Sequence, residues 1–497
     1  MGGDESMRRR LVVIFTLALF ASISTLAWAE WYPVLIHSHC RDFSDGALTA
    51  SQVIKTAKKM GYAALIETDH YKSIFKKGGQ TPQAFVKYRQ AFSSQDGIIV
   101  IPGAEVNTAT AHILALGDIV YDEELLRLYG QENAQQAVLD RLKVKALGFL
   151  TVAAHPSLIL PIGTETWRGD MTDYSFDMSQ TRGIDGFELL NDGTDKGYDL
   201  TLKRYLNYSS NNPVFVTAGC DQHGTVNPAL DDRWQRITWV WIDGPLTKES
   251  LLEALRQGRT YAARAGVKIV EINYRPGFEP QPAPARPELH FALVVPDVKQ
   301  PPTVAVYRDG ARVGTAFGYQ AKAGTFYYFW VDGGVWGTTA RYVLEVENCL
   351  VTSPIILEVP PFDRSLGRLD GWEDRDRNGH NPADVIREYF ASQSPKIKGL
   401  LADPQRFPSL APASFTRASD VQKIAEGLKR LECRSTCDVC SRVYGETDVR
   451  MSDVHFGYVE TSGKRHCSTW FMILQDNEWR IRAVVEDWVN APSQRTR

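Results

Sequence analysis

The chain has 497 residues, of which 43% are hydrophobic, 23% charged and 11% aromatic, and this excludes a mostly disordered, collagen-like or coiled-coil protein. At roughly 100–200 residues per domain, the length predicts two to four domains. Lys+Arg 56 against Asp+Glu 59 gives a net charge of -3, which excludes a nucleic-acid footprint built on bulk charge.

Residues 1–29 read as a secretory signal. Arg8, Arg9 and Arg10 form a positive head, Leu11 to Leu26 is an uncharged apolar run, and Ala27-Trp28-Ala29 carries small residues where a signal peptidase cuts. The run is short for a bilayer span of about 20 apolar residues, so cleavage after Ala29 is expected rather than retention as an anchor. The mature protein is then periplasmic or secreted. No later stretch is long and apolar enough to span a membrane.

From residue 30 to 266, short apolar runs alternate with helical stretches: Tyr32–Ile36, Ala50–Met60, Ala63–Ile66, Ile98–Ile101 and Phe149–Ala154. That alternation predicts an α/β unit, a parallel sheet or barrel with its active face at the strand C-termini. Residues 267–360 change texture. Leu289–Val294 and Thr303–Tyr307 alternate with turn signals at Asp309-Gly310 and Asp332-Gly333-Gly334, the pattern of a small β-sandwich. The proline-rich run Gly277–Pro287 reads as a loop.

Residues 361–381 form a charged linker. Within it Asp374, Asp376 and Asn378 take positions 1, 3 and 5 of a calcium-type loop with Gly379 at position 6. Position 12 is Val385 rather than the bidentate Glu, so a plain charged turn is the competing reading. Residues 382–497 open with a helical pattern, Ala383–Ala391, and close with strand-like runs at Val454–Val459, Ser468–Leu474 and Trp479–Val485, an α+β order. Their ending resembles the last strands of the nuclear-transport-factor-2-like (NTF2-like) cone fold.

Seven cysteines are distributed unevenly. Cys433, Cys437, Cys440 and Cys467 cluster late and fit either disulfides or a zinc site, with export favouring disulfides. Cys40 and Cys220 adjoin metal-ligand candidates and read as a disulfide pair or as small buried fillers.

The chemistry lies in the histidines. His37 and His39 in "LIHSHC", His70 in "ETDH", His112 in "TAHILALG", His155 in "VAAHP" and His223 in "GCDQH" all follow or adjoin short apolar runs. Asp45, Asp69, Glu105 and Asp221 accompany them. On a regular strand, His37 and His39 at i and i+2 share a face, so two imidazoles can converge on one ion. Gathering that many ionisable groups is costly unless a cation compensates them.

The ordered motifs "HSHCRDFSDG", "ALIETDH", "GAEV", "AHP" and "GCDQH" resemble the PHP (polymerase and histidinol phosphatase) superfamily, over about half the chain. The resemblance implies a distorted seven-stranded βα barrel with two or three divalent metals. By motif, His37, His39, Glu105 and Asp221 would hold the first metal. Glu105, His155 and His112 would hold the second, and Asp45, His70 and His223 the third. Many relatives carry a histidine where Asp45 stands, and a carboxylate there could change the metal preference. "GRTYAARAG" and "VENCLVTSPIIL" resemble the exported, carbamate-hydrolase-like branch of that superfamily.

Imidazole and carboxylate ligands suit Zn²⁺, Mn²⁺ or Fe²⁺ without distinguishing them. A water between two such ions is acidified toward neutrality and supplies hydroxide as nucleophile, with Asp221 and His223 as the catalytic candidates at the centre. Arg41 reads either as a clamp for an anionic substrate or as a solvated surface residue. Asp69 reads as a support that orients a ligand, and Glu188 and Asn191 read as such supports or as substrate contacts. The leading expectation is an exported metal-dependent phosphoesterase acting on a small-molecule phosphoester. The alternatives are a carbamate or carboxyl-ester hydrolase on the same metals, and a non-catalytic ligand- or partner-binding protein. Specificity is expected in loops such as Leu158–Gln180, which carry no readable code. No feature of the sequence identifies a protein partner.

Overall fold

The computed structural model describes most of residues 29–158, 174–175, 182–223, 235–359, 378–380, 385, 432–433 and 451–486. It divides into two compact units. The first runs to Ala265 and takes in Pro276–Phe278 and Val351–Pro354. Its strands are β1 Glu30–Ser38, β2 Ala64–Glu67, β3 Ile99–Pro102, β4 Ala104–Asn107, β5 His112–Leu116 and β6 Leu150–Ala154. They are followed by β7 Ser157–Leu158, β8 Tyr174–Ser175, β9 Gly186–Leu190, β10 Phe215–Gln222, β11 Arg236–Ile242 and β12 Thr260–Arg264. The helices are α1 Ala50–Lys59, α2 Tyr71–Lys77, α3 Gln83–Ala91, α4 Glu123–Leu128, α5 Gln135–Leu142, α6 Asp195–Ser209 and α7 Lys248–Arg256.

Local chemistry sets these elements. Thr49 and Gln52 form a capping box that starts α1, which buries Ala50, Val53, Ile54 and Ala57 on one stripe. Thr247 starts α7 in the same way, with Ser250 in the reciprocal position. β2, β3, β9, β10 and the second half of β1 are fully or nearly fully buried and rich in Val, Ile, Leu, Phe and Ala, as strands covered on both faces require. Val34, Ile36, Ile66, Ile101, Leu114, Val152, Phe215 and Val240 meet in one core cluster.

The sheet is mixed, not parallel throughout. β1 pairs in parallel with β2 and β10, β2 with β3, and β9 with β6 and β10, but β4–β5 and β5–β6 are antiparallel. The expected seven-stranded barrel is not a continuous hydrogen-bonded cylinder. β3 and β4 follow each other with Gly103 between them, and β4 is bridged in parallel to the chain just after β2 through Glu105 and His70. A Cβ at that glycine would lie 2.5 Å from the Ala115 carbonyl oxygen and 3.0 Å from that of Glu67. That close backbone approach leaves no room for a side chain at Gly103.

The second unit holds β13 Lys268–Ile272, most of β14 Gly277–Pro282, β15 Glu288–Val294, β16 Val304–Arg308, β17 Ala311–Lys322, β18 Thr325–Val331, β19 Thr338–Val346 and β21 Ile355–Val359, while β20 Leu350–Thr352 falls largely in the first. β14 occupies part of the run expected to be a loop, because alternate prolines are compatible with an edge position. Asp309 and Gly310 both have positive φ, 49° and 81°, the twist that a two-residue hairpin needs between β16 and β17. A four-stranded antiparallel sheet follows, β22 Glu432–Cys433, β23 Met451–Val459, β24 Arg465–Gln475 and β25 Glu478–Glu486. The signal segment, Asp374, Asp376, Cys437 and Cys440 lie outside the described residues, and Asn378 is exposed. Among the described residues no helix is long and apolar enough to cross a membrane.

Far along the chain, Ser353 returns to the first unit. Its hydroxyl accepts from the Val216 amide at 2.9 Å and lies 2.7 Å from the Thr260 hydroxyl, which donates to the Val216 carbonyl at 2.8 Å. All three residues are buried. Ser353→Ala leaves the Val216 amide unpaired and should lower the unfolding free energy by about 1–3 kcal/mol in denaturant titration, with Ser353→Thr costing less.

Candidate metal centre

The site is assembled at the ends of successive strands. β1 ends in His37 and the residue before His39; His70 follows β2 and caps α2; Glu105 lies in β4; His112 opens β5; His155 follows β6; Asp221 lies in β10 and His223 follows it. His37 and His39 converge, but not by regular alternation. The β1–β10 register slips between Ile36 and Ser38, and His37 adopts φ 66°. Asp221 and His155 also have positive φ, 44° and 30°. Left-handed backbone at non-glycine residues costs of order 1–3 kcal/mol each and persists where the surroundings enforce it. Here three ligand candidates carry that strain.

Glu105 is the hub. It is 1% exposed, and its two oxygens face five imidazoles. Oε2 lies 3.5 Å from His37 Nε2, 3.3 Å from His39 Nε2 and 3.0 Å from His70 Nδ1. Oε1 lies 2.6 Å from His112 Nδ1 and 3.3 Å from His155 Nε2. Asp221 Oδ1 forms a second focus, 3.3 Å from His37 Nε2, 3.2 Å from His39 Nε2 and 2.9 Å from His223 Nε2. Asp45 reaches in from the surface, 3.2 Å from His223 Nδ1 and 3.7 Å from His70 Nε2.

Burial opposes protonation of every imidazole here, and the local carboxylates decide each outcome. His39 falls to about 4 because burial outweighs Asp221 and Glu105. At His70 the carboxylates of Glu105 and Asp45 overcome burial and push the value to about 11. At His223, Asp221 and Asp45 do the same, to about 9. His37 rises well above the ordinary imidazole range under Glu188, Asp221 and Glu105. Glu105 and Asp221 are held far below the carboxylate range, burial notwithstanding, by the histidines around them. The cluster attracts positive charge strongly.

The donor set fits divalent cations. His37 Nε2, both ring nitrogens of His39, and Glu105 Oε2 are buried and make no hydrogen bond. Unmade bonds of this kind cost about 1–3 kcal/mol each. Among the described residues, four groups have donor atoms within 4.8 Å of one another: His37–His39–Asp221, His37–Glu105–His155 and His39–Asp45–His70–His223 at the centre, and Cys40–Glu67–Asp69. Mixed imidazole and carboxylate donors at that spacing suit Zn²⁺, Mn²⁺ or Fe²⁺. His112 joins Glu105 and His155, its Nδ1 lying 3.2 Å from His155 Nε2.

Supporting residues fix the ligands. Glu188 accepts from His37 Nδ1 at 2.7 Å and from the His155 amide at 2.7 Å, and Asn191 donates to the same carboxylate. The first contact holds a hydrogen on Nδ1, so a cation that displaces the second proton meets the Nε2 lone pair on the side of the centre. Asp69 acts on the chain rather than on an imidazole: it accepts from the Cys40 amide at 2.7 Å and the Cys40 thiol at 3.0 Å, just after His39. Cys40 and Cys220 are both buried and no disulfide joins them. Arg41 is exposed, and among the described residues no ion pair ties it to the cluster.

Three contributors escaped the sequence reading. Lys77 donates to the Arg41 carbonyl at 2.8 Å and also to that of Ser44, pinning the loop that carries Asp45. Asn107 contacts His70 and His112 together. Gly219 makes room for Glu188, since a Cβ there would lie 1.5 Å from Glu188 Oε1. Asn107, two residues beyond Glu105 on β4, was the one with a readable signal, because residues i and i+2 share a strand face. Gly219→Ala should displace Glu188 and weaken metal binding by about 10–100-fold in competition titrations, matching Glu188→Ala.

No protein-family model matches the chain. No curated protein matches it either. Among solved structures, it is similar to a candidate metal-dependent phosphoesterase from Bifidobacterium adolescentis, at 18% identity and a TM-score of 0.26 over 39% of this chain and 89% of that one. A likeness so slight leaves the functional reading to the residues themselves.

Proposed function

We propose that the protein is an exported metal-dependent hydrolase that cleaves phosphoesters. The observation that carries this reading is the convergence of six histidines with Glu105, Asp221 and Asp45 on one centre, with buried donor atoms left unbonded. His37, His39, Glu105 and Asp221 would hold one ion, Glu105, His112 and His155 a second, and Asp45, His70 and His223 a third. Bound divalent ions supply Lewis acidity and lower the pKa of water.

The chain's own groups do the rest. Glu188 and Asn191 hold His37 in the tautomer that offers Nε2 to the centre. Asp69 and Lys77 fix the turn between His39 and Asp45. Asp45, with its side chain 59% exposed, and His223, 36% exposed, form the side of the cluster that a substrate can reach. Closely spaced cation sites of this kind match the several charged oxygens of a phosphoryl group better than one neutral carbonyl. The order of the PHP-like motifs supports the same choice. Export rests on the residues from Arg8 to Ala29.

Protein purified without chelator should contain about two or more equivalents of divalent transition metal per chain by elemental analysis. Asp221→Asn should lower kcat/KM on a chromogenic phosphate mono- or diester by more than about a hundredfold, with circular dichroism unchanged. Metal-free protein, or turnover confined to a naphthyl carbamate, would overturn the phosphoesterase reading.

A further inference from the structure

Asn107 stands directly across the β4–β5 ladder from His112. Its side-chain amide spans two ligand candidates from different pockets. Oδ1 lies 3.0 Å from His70 Nδ1, and Nδ2 lies 2.7 Å from His112 Nε2. A primary amide has an acceptor at one end and donors at the other, and a neutral imidazole has one N–H and one lone pair. The two ends therefore impose opposite tautomers on the two rings.

In the arrangement seen, His70 Nδ1 donates to the amide oxygen and also lies 3.0 Å from Glu105 Oε2, so once a cation displaces its second proton the Nε2 lone pair is the one that faces Asp45. His112 accepts the amide N–H at Nε2, so its hydrogen sits on Nδ1 and points at Glu105 Oε1, 2.6 Å away. His112 then has no lone pair for an ion beside Glu105 and His155. Turning the amide through a half-rotation reverses both assignments. His112 donates from Nε2 and offers Nδ1 to that pocket, whereas His70 accepts at Nδ1 and carries its hydrogen on Nε2, toward Asp45. We propose that the Asn107 amide makes His70 and His112 alternative metal donors, so that filling the pocket of either weakens the pocket of the other. This rests on the metal-dependent reading above and deepens it: one side-chain amide sets how many ions the centre holds at a given metal concentration.

The test is a Mn²⁺ titration of the full chain, an ion whose preference for oxygen and nitrogen donors keeps it off the cysteines. In the wild type, the second and third dissociation constants should differ by about fivefold or more. Asn107→Asp accepts from both rings and Asn107→Ala constrains neither, so in each variant that gap should narrow. A gap of equal size in all three proteins, or no gap in the wild type, would overturn the inference. Binding of no Mn²⁺ by any of the three would instead overturn the metal reading, and the inference with it. A second readout needs no metal: long-range ¹H–¹⁵N spectra of the metal-free wild type should show His112 in the Nδ1–H form. Finding the Nε2–H form would also overturn the inference.

Discussion

One buried carboxylate organises the centre of this protein. Glu105 sits at 1% exposure with five imidazoles around its two oxygens. An ionised carboxylate removed from water is very costly unless matched by positive charge. Histidines match it only in part, because burial opposes their protonation as well. The residual demand falls on the space between Glu105, Asp221 and the rings, where a divalent ion supplies more charge than protons can. The strained backbone at His37, His155 and Asp221 is consistent with that priority. The chain accepts unfavourable φ angles to aim donors at one point, and it relies on a thoroughly apolar set of strands to hold them there.

The same reasoning explains the supports. Imidazoles are useful ligands only in one tautomer, and the groups behind them decide which. Glu188 decides for His37, and its room depends on the absence of a side chain at Gly219. Asp69 decides nothing about a ring; it holds the turn through Cys40. Asn107 decides for two rings at once, and in opposite senses.

Much of this was legible in the sequence. Alternating apolar runs and helical stretches located β1, α1, β2, β3 and β6 closely, because burial on both faces demands continuous Val, Ile and Leu. The nine ligand candidates come together, eight of them on strands or just beyond strand ends and Asp45 from the loop between β1 and α1. What stayed hidden depends on geometry that spacing does not encode. The bulge opposite His37 replaces the simple alternation of side chains, and the antiparallel placement of β5 interrupts the parallel sheet. A glycine such as Gly219 is informative only once the carboxylate it accommodates is known. Arg41 is exposed, and its position in the motif does not encode whether it meets a substrate.

The uneven exposure of the donors carries a kinetic meaning. His37 and His39 are 0–1% exposed, whereas Asp45 and His223 present 59% and 36% of their side chains to solvent. An ion held by the outer pair can be rehydrated ligand by ligand, without the core opening. One held by the inner pair can leave only when packed strands part, a motion tied to local unfolding. The donors thus fall into two classes, a rim open to its surroundings and an interior reached only through packed strands.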